Sequence, residues 1–216
     1  MNVKIIIFGC GSQSKYVIDN LISKKIASNK DFLLVDIENN GKIKNNGSKI
    51  EIINDINLAI DIIKNNKCSV LLAHGDNKLK ESIFKKFSSI KANFLNAIHI
   101  NSCISSRVKI GKGNIINSGT TVMPDAKIGS NNILHSGTII EHDCLINDFV
   151  NIGPGVTLAG GVEIGNRSYI YTGVKIAPRV KIGYDTIIGA GSLVLKDLPS
   201  GVIAFGSPAK IMRKNK

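Results

Sequence analysis

Residues 103–198 read CISSRV KIGKGN IINSGT TVMPDA KIGSNN ILHSGT IIEHDC LINDFV NIGPGV TLAGGV EIGNRS YIYTGV KIAPRV KIGYDT IIGAGS LVLKDL, sixteen hexads with nothing inserted between them. The second position of each is aliphatic: Ile104, Ile110, Ile116, Val122, Ile128, Leu134, Ile140, Ile146, Ile152, Leu158, Ile164, Ile170, Ile176, Ile182, Ile188 and Val194. No helix has a period of six, and no β-meander keeps register this long without turn insertions. A fixed short period marks a parallel β-helix, in which each hexad forms one flat face and stacked coils bury a continuous aliphatic column. Gly, Asn, Ser and Asp at the corners suit tight turns between short strands. Three hexads close one coil, so the sixteen make a little over five coils.

The hexads claim nearly half of the 216 residues, and two domains are expected. A net charge of +12 and a pI near 9.6 raise the question of nucleic acid. The lysines are scattered and aromatics make up only 5% of the chain, so neither a dense basic stripe nor stacking platforms are present. Attraction of small phosphorylated ligands fits the charge better. Cys10, Cys68, Cys103 and Cys144 have no C-x-x-C spacing, and no signal peptide is recognisable, which fits a reduced cytoplasm. The apolar run Ile5 to Phe8 is far too short to span a bilayer.

Towards the amino terminus, Val3 to Phe8 reads as a β-branched strand followed by Gly9-Cys10-Gly11-Ser12 and a helical pattern at Tyr16, Val17, Leu21 and Ile22. A strand, tight turn and helix N-terminus offer backbone N–H groups and a positive helix end to a phosphate. Ser14 stands where a third glycine would complete the dinucleotide fingerprint, so this signal alone is weak. Phe32 to Val35 reads as a second strand ending in Asp36, whose bland reading is a surface turn. Ile56 to Ile63 reads as a helix, and Ser69 to Ala73 as a strand ending in His74-Gly75-Asp76-Asn77. Asp76 is placed to cap the helix that follows, through Phe84. Residues 1–97 are therefore expected to be a Rossmann-like α/β domain with three or four parallel strands. Its ligand end comprises residues 9–14, Asp36 and residues 74–77. A purely structural cap on the solenoid is the alternative. His99, at the junction, reads as structural. The expected divisions are 1–97, a β-helix over 98–198, and a carboxy-terminal hairpin and tail over 199–216.

In a repeat, chemistry shows where a residue breaks the rule of its position. The hexad Ile139 to Cys144 places Glu141, His142 and Asp143 together where other hexads carry small or neutral residues. Neutral imidazole suits general-base work near pH 7, and an adjacent carboxylate can fix its tautomer. An exposed polar corner is the bland reading. Zinc is disfavoured because only His135 and His142 lie in the repeats and such sites usually need at least three protein ligands. No triad signature supports a Ser or Cys nucleophile.

These hexads, with IIEHDCLINDFVNIGPGVTLAGGVEIG, IIGAGSLVLKDLPSGVIAFGSPAK and FGCGSQSKYVIDNL, resemble the bacterial sugar O-acyltransferases of the sialic acid O-acetyltransferase type. That family includes the UDP-4-amino-sugar (bacillosamine-type) N-acetyltransferases. The resemblance implies a left-handed β-helix assembled as a trimer, acetyl-CoA in a groove between solenoids, and a nucleotide-sugar held partly by the α/β domain. It implies His142 as general base, followed by the acidic Asp143, with Glu141 also common in the sialic acid branch. Coenzyme contacts are implied at Asn151, Gly160, Thr172 and Ala190, mostly through backbone groups. Sugar-nucleotide contacts are implied at Gly11, Ser12, Gln13, Asp36 and Gly75. The chain departs from the family's G-x-G-G-H-G-K at residues 9–15, carries Asn151 in place of a frequent histidine, and has His135 where Asn is common.

The expected activity is acetyl-CoA-dependent N-acetylation of a UDP- or dTDP-linked 4-amino-4,6-dideoxy sugar by direct transfer. No metal is expected. Expected partners are the nucleotide-sugar and two further copies of the chain, with no nucleic acid and no membrane insertion, in the cytoplasm. The alternative enzyme is an O-acetyltransferase of sialic acid or a related nonulosonic acid. A zinc-dependent hydratase and a non-catalytic sugar-nucleotide binder are the rivals from other classes.

Overall fold

The computed structural model describes residues 4–36, 41–45 and 48–215, so Val3, placed above in the first strand, lies outside it. Two compact units emerge, Met1–Ile100 and Asn101–Lys216.

The first unit contains β1 (Ile5–Phe8), α1 (Ser12–Ser23), β2 (Phe32–Val35), β3 (Gly41–Asn45), β4 (Ser48–Ile53), α2 (Ile56–Asn65), β5 (Ser69–Leu72), α3 (Asn77–Ser88) and β6 (Asn93–Phe94). The sheet order is β3-β4-β2-β1-β5-β6. All neighbours are parallel except β3 and β4, which form an antiparallel pair. The expectation of three or four parallel strands is therefore too low, since among the described residues five strands run parallel and a sixth returns along the edge. Every residue of β1 and β2 is buried, as continuous apolar strands in a sheet covered on both faces must be. One face packs Ala59 and Ile63 of α2 and Ile83 and Phe87 of α3 against Ile6, Phe8, Val35, Val70 and Leu72. Each buried Val, Leu, Ile or Phe among them contributes roughly 1.5–3 kcal/mol. Asp55 caps α2, accepting from the N–H groups of Asn57 and Leu58, and Asp76 caps α3 in the same way through Lys78 and Leu79. His99 Nε2 sits 3.6 Å from the Asp19 carboxylate.

The second unit is a left-handed parallel β-helix. Successive coils pair in register eighteen residues apart, as in Leu134↔Ile152 and Ile140↔Leu158. From Ile116 to Val194 every second-position side chain of a hexad is buried, whereas Ile104 and Ile110, in the first coil, are half-buried. A second column escapes a purely aliphatic reading. The sixth position is also buried from Asn114 to Leu198, although Asn, Thr, Ser, Cys, Ala and Val all occupy it. The stack supplies partners for its amide oxygens: Asn114 Oδ1 accepts the Asn132 N–H at 2.9 Å, and Asn132 Oδ1 accepts the Val150 N–H at 2.6 Å.

Each coil turns three corners, at the fourth and fifth hexad positions. The first corner holds residues 106–107, 124–125, 142–143, 160–161 and 178–179; the second holds 112–113, 130–131, 148–149, 166–167 and 184–185; the third holds 118–119, 136–137, 154–155, 172–173 and 190–191. The fifth position has left-handed backbone in every hexad from Gly113 to Gly191, whether glycine or not. The period breaks in the last hexad. Leu198, not residue 200, bridges Ile182, and Ala204 pairs with Ile188, so the final corner is two residues short. The chain ends in an antiparallel hairpin, Val202–Gly206 with Ala209–Lys214.

Candidate active site

Strand β1 has β2 on one side and β5 on the other, so a crevice opens at their carboxyl ends, where the sheet order reverses. A cavity of about 230 Å³ occupies it, lined by residues 9–13, Asp36 and residues 73–75. All five residues implied for the sugar-nucleotide, Gly11, Ser12, Gln13, Asp36 and Gly75, line it together. Gly9 makes the turn possible. Its φ is +105°, and a Cβ there would stand 2.5 Å from the Ala73 carbonyl oxygen. Asp36 Oδ2 accepts the Cys10 N–H at 3.1 Å, which ties the loop after β1 to the end of β2. The first turn of α1 presents its N–H groups to the same space. A larger depression of about 600 Å³ lies between the carboxyl ends of α2 and α3. Lys64, Lys67 and Lys91 there complement helix ends, and no Asp, Glu or His lines it.

His142 stands at the first corner of the solenoid. Asp143 follows it with φ +59°, and this left-handed turn brings the carboxylate back to the ring: Oδ2 lies 2.8 Å from Nδ1. Asp143 is thus the carboxylate in hydrogen-bond contact with the imidazole. Both members of the pair are open to solvent, at 63% and 66%. The ring leans on the coil above. A Cβ on Gly160 would stand 2.7 Å from both Cε1 and Nε2, so only glycine leaves room for the imidazole in this position. Cys144 is no nucleophile here. Burial pushes its thiol up to about 11, and it donates to the Ala159 carbonyl oxygen.

The corners differ in what their backbone N–H groups do. At the second corner the fourth-position N–H groups are capped from the next coil, Lys112 by Ser130, Ser130 by Asp148, Asp148 by Asn166 and Tyr184 by Ser200. Gly160 at the first corner, and Thr172 and Ala190 at the third, donate to no group among the described residues. Three of the four implied coenzyme residues are therefore available backbone donors. Thr172 and Ala190 stack directly, the Thr172 carbonyl oxygen accepting the Gly191 N–H. Asn151 lies on the sheet that leads to this third corner, paired with Ile133 and Tyr169, and its side chain is fully buried. One solenoid thus groups Gly160 with His142 and Asp143, and separates them from Thr172 and Ala190 by the whole face containing Thr121, Ile139 and Thr157. Among the described residues no three His, Cys, Asp or Glu side chains cluster to hold a metal ion, and no helix is long and apolar enough to cross a membrane.

Residues 125–160 and 161–196 match the bacterial transferase hexapeptide (six repeats) family. Among solved structures, the chain is similar to perosamine N-acetyltransferase from Caulobacter crescentus, seen with CoA and GDP-perosamine in a histidine-to-asparagine variant. The identity is 30% over 97% of this chain and 96% of that one, with a TM-score of 0.89. It is also similar to WeeI from Acinetobacter baumannii AYE, at 26% identity over 97% and 100% of the two chains and a TM-score of 0.84. The acetyltransferase domain of PglB from Neisseria gonorrhoeae FA1090, at 24% identity over 98% and 100% with a TM-score of 0.87, shares the fold. A galactoside O-acetyltransferase of Lactococcus lactis is 57% identical over 30 residues, which span 14% of either chain.

Proposed function

The chain belongs to the sugar acyltransferases of the left-handed β-helix, hexapeptide-repeat family, and from that membership we propose that it transfers acetyl from acetyl-CoA to the amino group of a nucleotide-linked amino-deoxysugar. The observation that carries this reading is the His142–Asp143 pair resting on Gly160, whose N–H has no acceptor among the described residues.

Asp143 accepts the Nδ1–H and leaves Nε2 with its lone pair outward. The neutral amine attacks the thioester carbonyl carbon, and Nε2 takes the proton the amine loses. The carbonyl oxygen becomes an oxyanion that the Gly160 N–H can hold. Collapse of the intermediate expels the coenzyme thiolate, which recovers the proton from the imidazolium. Glu141 contributes negative charge beside the pair. The acceptor nucleotide is assigned to the crevice of Gly11, Ser12, Gln13, Asp36 and Gly75, where α1 N–H groups meet phosphate. The coenzyme is assigned to Asn151, Gly160, Thr172 and Ala190, with the carboxy-terminal hairpin contributing. Because these residues occupy separate corners of one solenoid, a groove using all of them needs a second copy, and we assign the protein a trimeric state.

The GDP-perosamine complex of the Caulobacter relative adds GDP-linked sugars to the UDP- and dTDP-linked ones as candidates. Thiol release from acetyl-CoA should be followed with GDP-, UDP- and dTDP-linked amino sugars, and with sialic acid and its CMP conjugate. Turnover confined to an amino sugar nucleotide is expected. Turnover confined to sialic acids would replace this reading with O-acetylation.

A further inference from the structure

Three arginines occupy the fifth hexad position, Arg107, Arg167 and Arg179, and each has an aspartate at the same corner one coil on: Asp125, Asp185 and Asp197. Two of these pairs close. Arg107 donates through Nε to Asp125 Oδ1 and meets Oδ2 as well. Arg167 donates to Asp185 through Nε and Nη2, both at 2.8 Å. The third does not close. The two residues missing from the final corner turn Asp197 elsewhere, and its Oδ1 accepts the Lys181 N–H at 2.8 Å. Arg179 is exposed, and among the described residues its guanidinium has no ion pair or hydrogen bond. It also holds left-handed backbone, φ +62°, a conformation that favours glycine.

Its position is specific. Arg179 lies at the first corner, two coils above His142, and its N–H donates to the Gly160 carbonyl oxygen. Its Cγ lies 3.3 Å from where a Cβ of Gly161 would stand. The imidazole leans onto Gly160 from below and the arginine stem onto Gly161 from above, so a proton acceptor and an uncompensated cation converge on one glycine pair. The coil spacing of about 4.8 Å keeps the two within one substrate's length.

We propose that Arg179 binds phosphate oxygens of a diphosphate carried by a co-substrate while its reacting group is held at His142. A planar guanidinium with its fork of donors unoccupied matches a pair of phosphate oxygens. Both proposed co-substrates carry a diphosphate, and the inference rests on the functional reading above.

The test compares wild type, Arg179→Ala and Arg167→Ala with acetyl-CoA, with S-acetylpantetheine, with the nucleotide-linked amino sugar, and with the same amino sugar lacking its nucleotide. Arg179→Ala is expected to raise KM for one diphosphate-bearing substrate by about ten- to a hundredfold, the worth of charge-assisted hydrogen bonds. It should leave Tm unchanged. Arg167→Ala should do the reverse, lowering Tm and sparing KM. Disappearance of the Arg179 defect with S-acetylpantetheine identifies the coenzyme as the bound partner, and disappearance with the free amino sugar identifies the acceptor. Unchanged KM values, or a defect that persists with both phosphate-free substrates, would overturn the proposal while leaving acetyl transfer by the wild type standing. A wild type that acetylates no amino sugar would overturn both.

Discussion

Replacing Gly160 with alanine separates the position of the His142 ring from every other property of the corner. The added Cβ would stand 2.7 Å from His142 Cε1 and Nε2. Carbon contacts settle at about 3.5–4.0 Å, so the ring has to retreat by roughly 1 Å. A misplacement of about 1 Å at a reacting centre can cost on the order of a hundredfold in rate, and kcat is expected to fall by about that factor. The fold should barely respond. The ring is 63% exposed and free to swing into solvent. An exposed ion pair is worth at most about 1 kcal/mol, or about 2–4 °C in a chain of this size. Alanine keeps the N–H, so the donor proposed for the oxyanion survives. Gly161→Ala supplies the contrast: its φ of +71° makes any Cβ cost about 1–2 kcal/mol, while the nearest obstacle is the flexible Arg179 side chain. That variant should lose several degrees in Tm and keep its kcat. Thiol-release kinetics and thermal melts read both effects, and a Gly160→Ala enzyme with wild-type kcat would refute the placement of the ring.

Asp143→Asn should preserve the melting temperature but lower kcat by about ten- to a hundredfold, because a carboxamide that donates to Nδ1 selects the wrong tautomer; a pH–rate profile checks it. Lys80, fully buried on α3, supplies a pH dependence. Burial pulls its ammonium down to about 7, against the weaker opposing pull of Asp76. Below pH 7 the amine is charged in both states and the folded state bears its desolvation. Between pH 7 and 10.5 the unfolded chain binds the extra proton, so stability rises with pH, by up to about 1.4 kcal/mol per pH unit. Urea titrations across that window should show this slope in the wild type and a flatter one in Lys80→Met; equal slopes would contradict it. Asp31 acts in the opposite direction. The Ser28 hydroxyl and N–H and the Lys4 ammonium hold its carboxyl at about 2, so its stabilisation is present above pH 3.8 and is lost as pH falls towards 2. Asp31→Asn should remove that part of the acid sensitivity in the same titration.

The aliphatic column was legible because one residue class repeats at one position. The sixth-position column was not, since Asn132, Cys144 and Val150 share a place in the stack and nothing in composition. Nor do Phe149, Arg167 and Arg179 announce the left-handed turn they adopt; that conformation is imposed by the coil and overrides local preference. In the α/β unit the strands β3 and β4 were missed because lysine and asparagine dilute their alternation. The Asn46-Gly47 pair between the two runs is a hairpin signal that could have found them. At the site, the sequence placed Glu141, His142 and Asp143 side by side but could not choose between the carboxylates, because the choice depends on the backbone turn at 143. Arg179 was invisible for a different reason. Only the eighteen-residue register shows that its partner should be Asp197, and only the shortened last corner shows why that pair stays open.

The central claim is that His142 takes the proton from a sugar amine as acetyl-CoA delivers its acetyl group. Thiol release by wild type and His142→Ala, each saturated with acetyl-CoA and with the best nucleotide-linked amino sugar, tests it most directly. Loss of a general base predicts a kcat lower by about two to four orders of magnitude in the variant, with acetyl-CoA still raising its melting temperature. A His142→Ala enzyme that turns over within a few-fold of wild type would contradict the account.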